Sequence, residues 1–114
     1  MPTRSAGDIV RAHLEAFSSH DLPAMLATMA PDAVFTSGTT LVPPAEFDEF
    51  FGWAMRELDP TMQITTLVVD GANVACEFVE SVTIDGERRH QQRAAFYTVH
   101  ADVITSAKVY DERD

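Results

Sequence analysis

Glu80 stands in the run CEFVESVTI, residues 76–84, where apolar and polar residues alternate with the period of a β-strand. Cys76, Phe78, Glu80, Val82 and Ile84 share one face, apolar but for the one carboxylate; Glu77, Val79, Ser81 and Thr83 share the other. A carboxylate turned into an apolar interior is costly unless it is paired, protonated or facing a wet cavity, so Glu80 marks a candidate site. Asp85 and Gly86 follow, with the residue types of a two-residue hairpin turn. If these two are the central turn residues, Glu80 faces Gln91 and Phe78 faces Arg93, and Gln91, Arg93, Ala95, Tyr97 and Val99 point the same way as Glu80. Glu80, Gln91, Arg93 and Tyr97 among apolar neighbours form the kind of polar cluster that a small-ligand pocket needs. Two uses fit it: proton transfer by Glu80, or an internal salt bridge between Glu80 and Arg93 without catalysis.

His13 is the second candidate. Ile9, Val10, His13, Leu14 and Phe17 fall on one stripe at helical spacing, and Ser5 with Asp8 three residues on resembles a capping box. A neutral histidine in that buried stripe acts as a base or simply satisfies a backbone carbonyl in the core.

The elements that must position these groups read in order. After the first helix, Asp21 caps a short helix carrying Leu22, Met25, Leu26 and Met29, which Pro31 is expected to end. AVFTSG then makes a short strand closed by Gly38. Pro43 and Pro44 suit the first turn of a third helix, in which Phe47, Phe50, Phe51, Ala54 and Leu58 repeat until Asp59 and Pro60 stop it. Trp53, Phe50 and Phe51 on that helix can stack on a flat ligand, but packing of the helix on a sheet accounts for most of them. The period then changes to two: MQITTLVV, a turn at Asp70 and Gly71, NVACEFVESVTI, the turn at Asp85 and Gly86, QQRAAFYTV and VITSAKVYD. Helices first and an antiparallel meander afterwards is an α+β arrangement, with the sheet curling around helices that cover one face.

Composition narrows the partners. A net charge of −10, from 18 acids against 8 Lys and Arg, repels phosphate backbones and anionic lipids, so neither nucleic acid nor membrane is expected as a partner. Arg88, Arg89, His90 and Arg93 make the one basic cluster, which reads as a solvated strand end. The 114 residues imply one domain, residues 1–114, and the absence of a long apolar run implies a cytoplasmic protein. Cys76 is expected to be a buried, inert thiol. His20, His90 and His100 are scattered, no ligand spacing such as H-x-x-x-H occurs, and no phosphate-binding glycine loop appears, so neither metal nor cofactor is expected.

The helix, helix, strand, helix, four-strand order, with HDLPAMLATMAPDAVF after the first helix and VITSAKVYD at the close, resembles the SnoaL-like branch of the nuclear transport factor 2-like superfamily over nearly the whole chain. The resemblance implies a cone-shaped cystatin-like fold, a curved and mainly antiparallel sheet wrapped around three helices from the N-terminal half, with an apolar cavity between. Its members include ketosteroid isomerases, polyketide cyclases, limonene epoxide hydrolases, dehydratases and noncatalytic association domains. His13 falls where the isomerases carry an oxyanion-donating tyrosine. Ser37 replaces the isomerase base, Ala95 its protonated aspartate, and Val109 the last-strand aspartate of the hydrolases. The hydrolases' arginine and aspartate align with Phe78 and Glu80, and the nearest inward carboxylate on the last strand is Asp111.

The resemblance therefore implies a small apolar ligand or substrate, with Glu80, His13 and Arg93 as catalytic candidates. Tyr97, Gln91, Ser37 and Asp111 are the polar substrate contacts, and Phe17, Trp53 and Phe78 the apolar ones. Two functions follow: a cofactor-independent isomerase, cyclase or dehydratase with Glu80 as acid or base and His13 as donor, or a noncatalytic binding or assembly module. The outward face, with Glu77, Val79, Ala94 and Phe96, is too apolar for free solvent, and a homodimer through it is expected.

Overall fold

The computed structural model describes residues 5–111. Helix α1 (Ala6–Ser18) starts at Ser5, whose hydroxyl accepts from the Asp8 amide at 3.0 Å, and it buries Ile9, Val10, His13, Leu14 and Phe17. Gly7 lets it lie close on the sheet: a Cβ there would stand 3.0 Å from Val69 Cγ2 and 3.3 Å from Leu67 Cδ2. Helix α2 (Leu22–Ala27) is capped by Asp21, whose carboxylate accepts from the Ala24 amide. A 3-10 turn (Pro44–Glu46) leads into helix α3 (Phe47–Leu58), which ends at Asp59 in the left-handed region.

The strands β1 (Met29–Ser37), β2 (Thr40–Val42), β3 (Thr61–Asp70), β4 (Asn73–Ile84), β5 (Glu87–His100) and β6 (Val103–Asp111) form one open sheet in the order β2-β1-β6-β5-β4-β3. Only β1 and β6 pair in parallel; the rest is antiparallel, and β3 to β6 make the expected meander. The α+β reading is correct, and so is the hairpin that carries the candidate site. Asp85 and Gly86 both have positive φ, as a primed turn requires, and the register pairs Ile84 with Glu87, Glu80 with Gln91 and Phe78 with Arg93.

Three sequence expectations are corrected. The first hairpin turns at Gly71 and Ala72 and not at Asp70 and Gly71, because Asp70 pairs with Asn73 and the glycine takes the first positive-φ position. Pro31 does not end α2, which stops at Ala27; Met29 is already in β1, and Pro31 lies exposed in a bulge where β1 takes five steps to two on β6, leaving no ladder bond for its missing N–H. The strand β2 was not anticipated, being three residues that return from Gly38 along the sheet edge.

The core lies between the concave face of the sheet and the helices. Phe35 on β1 meets α3 edge-on, 5.0 Å from Phe51 and 6.3 Å from Phe47 between ring centroids, and Phe51 meets Phe17 of α1 at 6.2 Å. Such edge-to-face pairs contribute about 0.5–1.5 kcal/mol each beyond the area they bury, so they brace one wall of the cone. Trp53 is outside this core. The packing account fits Phe51 and partly buried Phe50, but Trp53 is 49% exposed at the rim. Cys76 is buried, and burial pushes its thiol up to about 11 against a smaller lowering by a backbone hydrogen bond from Ala95, so it is inert as expected. Among the described residues no helix is long and apolar enough to cross a membrane.

Candidate functional site

Between the helices and β4–β6 lies a cavity of about 300 Å³, at the lower end of the size range of ligand pockets. Strand alternation builds its inner wall. On β4 the residues Phe78, Glu80, Val82 and Ile84 face in, and on β5 Gln91, Arg93 and Tyr97 do. The helices supply His13 and Phe17 from α1 and Phe50, Phe51 and Trp53 from α3.

Glu80 is buried, 7% exposed, and its Oε1 accepts from Arg93 Nη1 at 2.6 Å. The other amino group of Arg93 meets Asp111 Oδ1 at 2.5 Å and lies 3.4 Å from the Ser37 hydroxyl. One guanidinium thus bridges carboxylates from β4 and β6. Removing either charge from water is costly, and the bridge tolerates it because each charge has a close partner. Asp111 serves Arg93 from outside the cavity, which it does not line; its place as a substrate contact is corrected to that of an arginine holder. The pairing follows from register, because Asp111 stands opposite Arg93.

His13 is 2% exposed and T-shaped against Tyr97, with ring centroids 5.9 Å apart. Its Nδ1 lies 2.8 Å from Thr28 Oγ1, and the Thr28 hydroxyl donates to the Met25 carbonyl at 2.6 Å. The single hydroxyl proton is therefore committed, so Thr28 Oγ1 accepts and Nδ1 carries the hydrogen. Nε2 is left with a lone pair and no partner among the described residues. Among the described residues Arg93 Nε is the one buried side-chain nitrogen or oxygen both sealed and unpartnered, so Nε2 opens on the cavity that His13 lines. Burial lowers the imidazole pKa from 6.5 to about 4, which keeps it neutral at pH 7. Of the two roles considered for His13, donor and base, this tautomer matches the second: the neutral ring turns an acceptor to the cavity.

The donor on this wall is the Tyr97 phenol. Burial first, and then Cys76, hold its phenol well above the ordinary range, with Arg93 pulling the other way, so the O–H stays protonated. It has no hydrogen-bond partner among the described residues. The structure thus brings together Glu80, Arg93, His13, Tyr97, Gln91, Ser37, Phe17, Trp53 and Phe78 on one cavity and leaves Asp111 behind it. Sequence reasoning missed Thr28 and Phe35. Phe35 was accessible, because it alternates with Ser37 along β1; Thr28, 15 residues from His13, carried no local signal. Among the described residues no three His, Cys, Asp or Glu stand together as metal ligands.

Comparison with known proteins follows the same lines. Residues 10–107 match the sequence profile of the SnoaL-like domain family. No curated protein matches the chain in sequence. Among solved structures, the fold is similar to that of an LEH-like epoxide hydrolase from M. tuberculosis, with TM-score 0.86 and 20% identity over 94% of this chain and 82% of that one. It is also similar to IdmH, a proposed polyketide cyclase from Streptomyces antibioticus, with TM-score 0.83 and 19% identity over 96% and 93% of the two chains. A proposed polyketide cyclase from Xanthomonas campestris gives TM-score 0.82 and 23% identity over 92% and 88%. At these identities the likeness is one of fold.

Proposed function

We propose that this chain, which belongs to the SnoaL-like domain family, binds a small, largely apolar molecule in its cone and moves a proton on it without a cofactor, as an isomerase, cyclase or dehydratase. The observation that carries the proposal is the hydrogen-bond chain from His13 Nδ1 through Thr28 to the Met25 carbonyl, which fixes the tautomer and leaves the Nε2 lone pair open to the cavity. Nε2 takes a proton from carbon next to a carbonyl, the electron pair moves onto the carbonyl oxygen, and the Tyr97 O–H donates to the oxyanion as it forms. The imidazolium keeps its Nδ1–H on Thr28, and the burial that lowers its pKa to about 4 makes it a strong acid for returning the proton. Glu80 stays with Arg93 and sets the polarity of the inner wall.

A bicyclic ketone, 2-tetralone, tests this in deuterated buffer, with NMR following deuterium at its acidic carbon. The protein is expected to accelerate exchange, His13→Asn to cut the acceleration about 10²-fold or more, and Tyr97→Phe to weaken it. Ketone binding without accelerated exchange would overturn the catalytic proposal. That outcome is the second reading, a binding module, favoured by the clamping of Arg93 between two carboxylates.

The proposal extends to a homodimer through the convex face of the sheet. Phe96, Tyr110 and Val68 are 57%, 42% and 58% exposed there, and Phe96 and Tyr110 stack edge to face at 5.9 Å. Apolar side chains clustered on one sheet face support burial against a second copy.

A further inference from the structure

We infer that the molecule taken by this cavity carries a positive charge: a small hydrophobic amine in its protonated form, with the ammonium at Glu80 and the apolar body against the aromatic wall. The inference rests on the reading of the cavity as a ligand site and adds the charge of the ligand.

Charge around Arg93 is unbalanced. Glu80 on the inner wall and Asp111 behind it meet this one cation, and the three sum to −1. Arg93 has little left for an incoming anion: its charge already faces two carboxylates, Nη2 is shared between Asp111 and Ser37, Nη1 gives one N–H to Glu80, and Nε is sealed. Glu80 gives one oxygen to Arg93. Its Oε2 has no partner among the described residues, although the side chain is only 9% exposed, so it reaches the cavity as an unmatched anionic acceptor. His13 Nε2 adds a second lone pair on the same cavity. Both call for donors, and an ammonium brings three with a charge.

The rest of the wall suits a cation as well. Phe35, Phe50, Phe51, Trp53 and Tyr97 line the cavity, and aromatic faces attract cations within about 6 Å. Outside, a net charge of −10 concentrates cations at the surface and repels anions before they enter. A neutral ketone finds its donor in Tyr97 but leaves Glu80 Oε2 without one, which costs affinity. An aminoketone meets both needs at once.

Calorimetry with three probes on one bicyclic frame tests the inference at neutral pH: protonated 2-aminotetralin, neutral 2-tetralone and anionic tetralin-2-carboxylate. The amine is expected to bind about ten-fold or more tightly than the ketone, with the carboxylate weakest. Glu80→Gln is expected to bring the amine within about two-fold of the ketone. Should the ketone equal the amine, or the carboxylate bind best, the charge inference falls and the cavity reading stands. Failure of all three probes to bind overturns both. The comparison on the unaltered protein decides the matter even if the variant does not fold.

Discussion

Acidification from about pH 7.5 to about pH 5 is expected to cost the folded protein about 2 kcal/mol through His13 alone. Burial holds the imidazole at about 4 against its ordinary 6.5, so the native ring stays neutral across a window in which the unfolded chain takes up a proton. More protons are bound unfolded than folded there, and stability therefore rises with pH. The contribution is complete above 6.5 and is lost as pH falls through 4. At about pH 5 the unfolded ring is about thirty to one protonated and the native ring about one to ten, which gives the 2 kcal/mol; the whole window is worth about 3.

Carboxylates begin to titrate at the acid end, so the reference is His13→Asn. Its amide can donate to Thr28 from the position of Nδ1 and does not titrate. His20, His90 and His100 are common to both proteins and cancel in the difference. Urea denaturation of both at several pH values gives the result directly. The unaltered protein should lose about 2 kcal/mol more than the variant between the two pH limits, with the denaturant slope unchanged. Parallel losses would mean that the native ring takes up a proton as readily as the unfolded one, and the reasoning from a buried neutral base would fail.

Three further outcomes are expected. Thr28→Val keeps the shape but strands the buried His13 Nδ1–H, and should lose about 1–3 kcal/mol in the same denaturation assay. Arg93→Met leaves Glu80 buried without its partner and should cost about 3–5 kcal/mol, most of which the double variant with Glu80→Gln recovers; an additive double variant would show that the pair does not interact. Phe96→Glu places a charge on the convex face and should convert a sedimenting dimer into a monomer without loss of secondary structure; a species unchanged in mass would remove that face from the interface.

The concave site was legible where local rules govern it. Alternation along β4 and the residue types of Asp85 and Gly86 were enough to set Glu80 opposite Gln91 and Arg93 on the inner wall, because hairpin register follows from turn geometry. The helical stripe placed His13 inside for the same reason. What stayed hidden depends on contacts distant in sequence. Thr28 meets His13 only once α2 has folded back on α1, and that one hydroxyl decides between the donor and acceptor roles of the histidine. The β1 bulge absorbs Pro31, which local propensity read as a helix stop, because the strand there has no regular partner on β6. Trp53 shares a helix with core aromatics yet is 49% exposed at the cavity rim, a difference that helical spacing alone does not encode.

The most direct test of the account is the ¹⁵N NMR spectrum of His13 at neutral pH, before and after addition of 2-aminotetralin or 2-tetralone. The account predicts a protonated Nδ1 and a bare Nε2 in the free protein, with the Nε2 resonance moving when a probe enters the cavity. A hydrogen found on Nε2, or an Nε2 signal indifferent to every probe that binds, would contradict it.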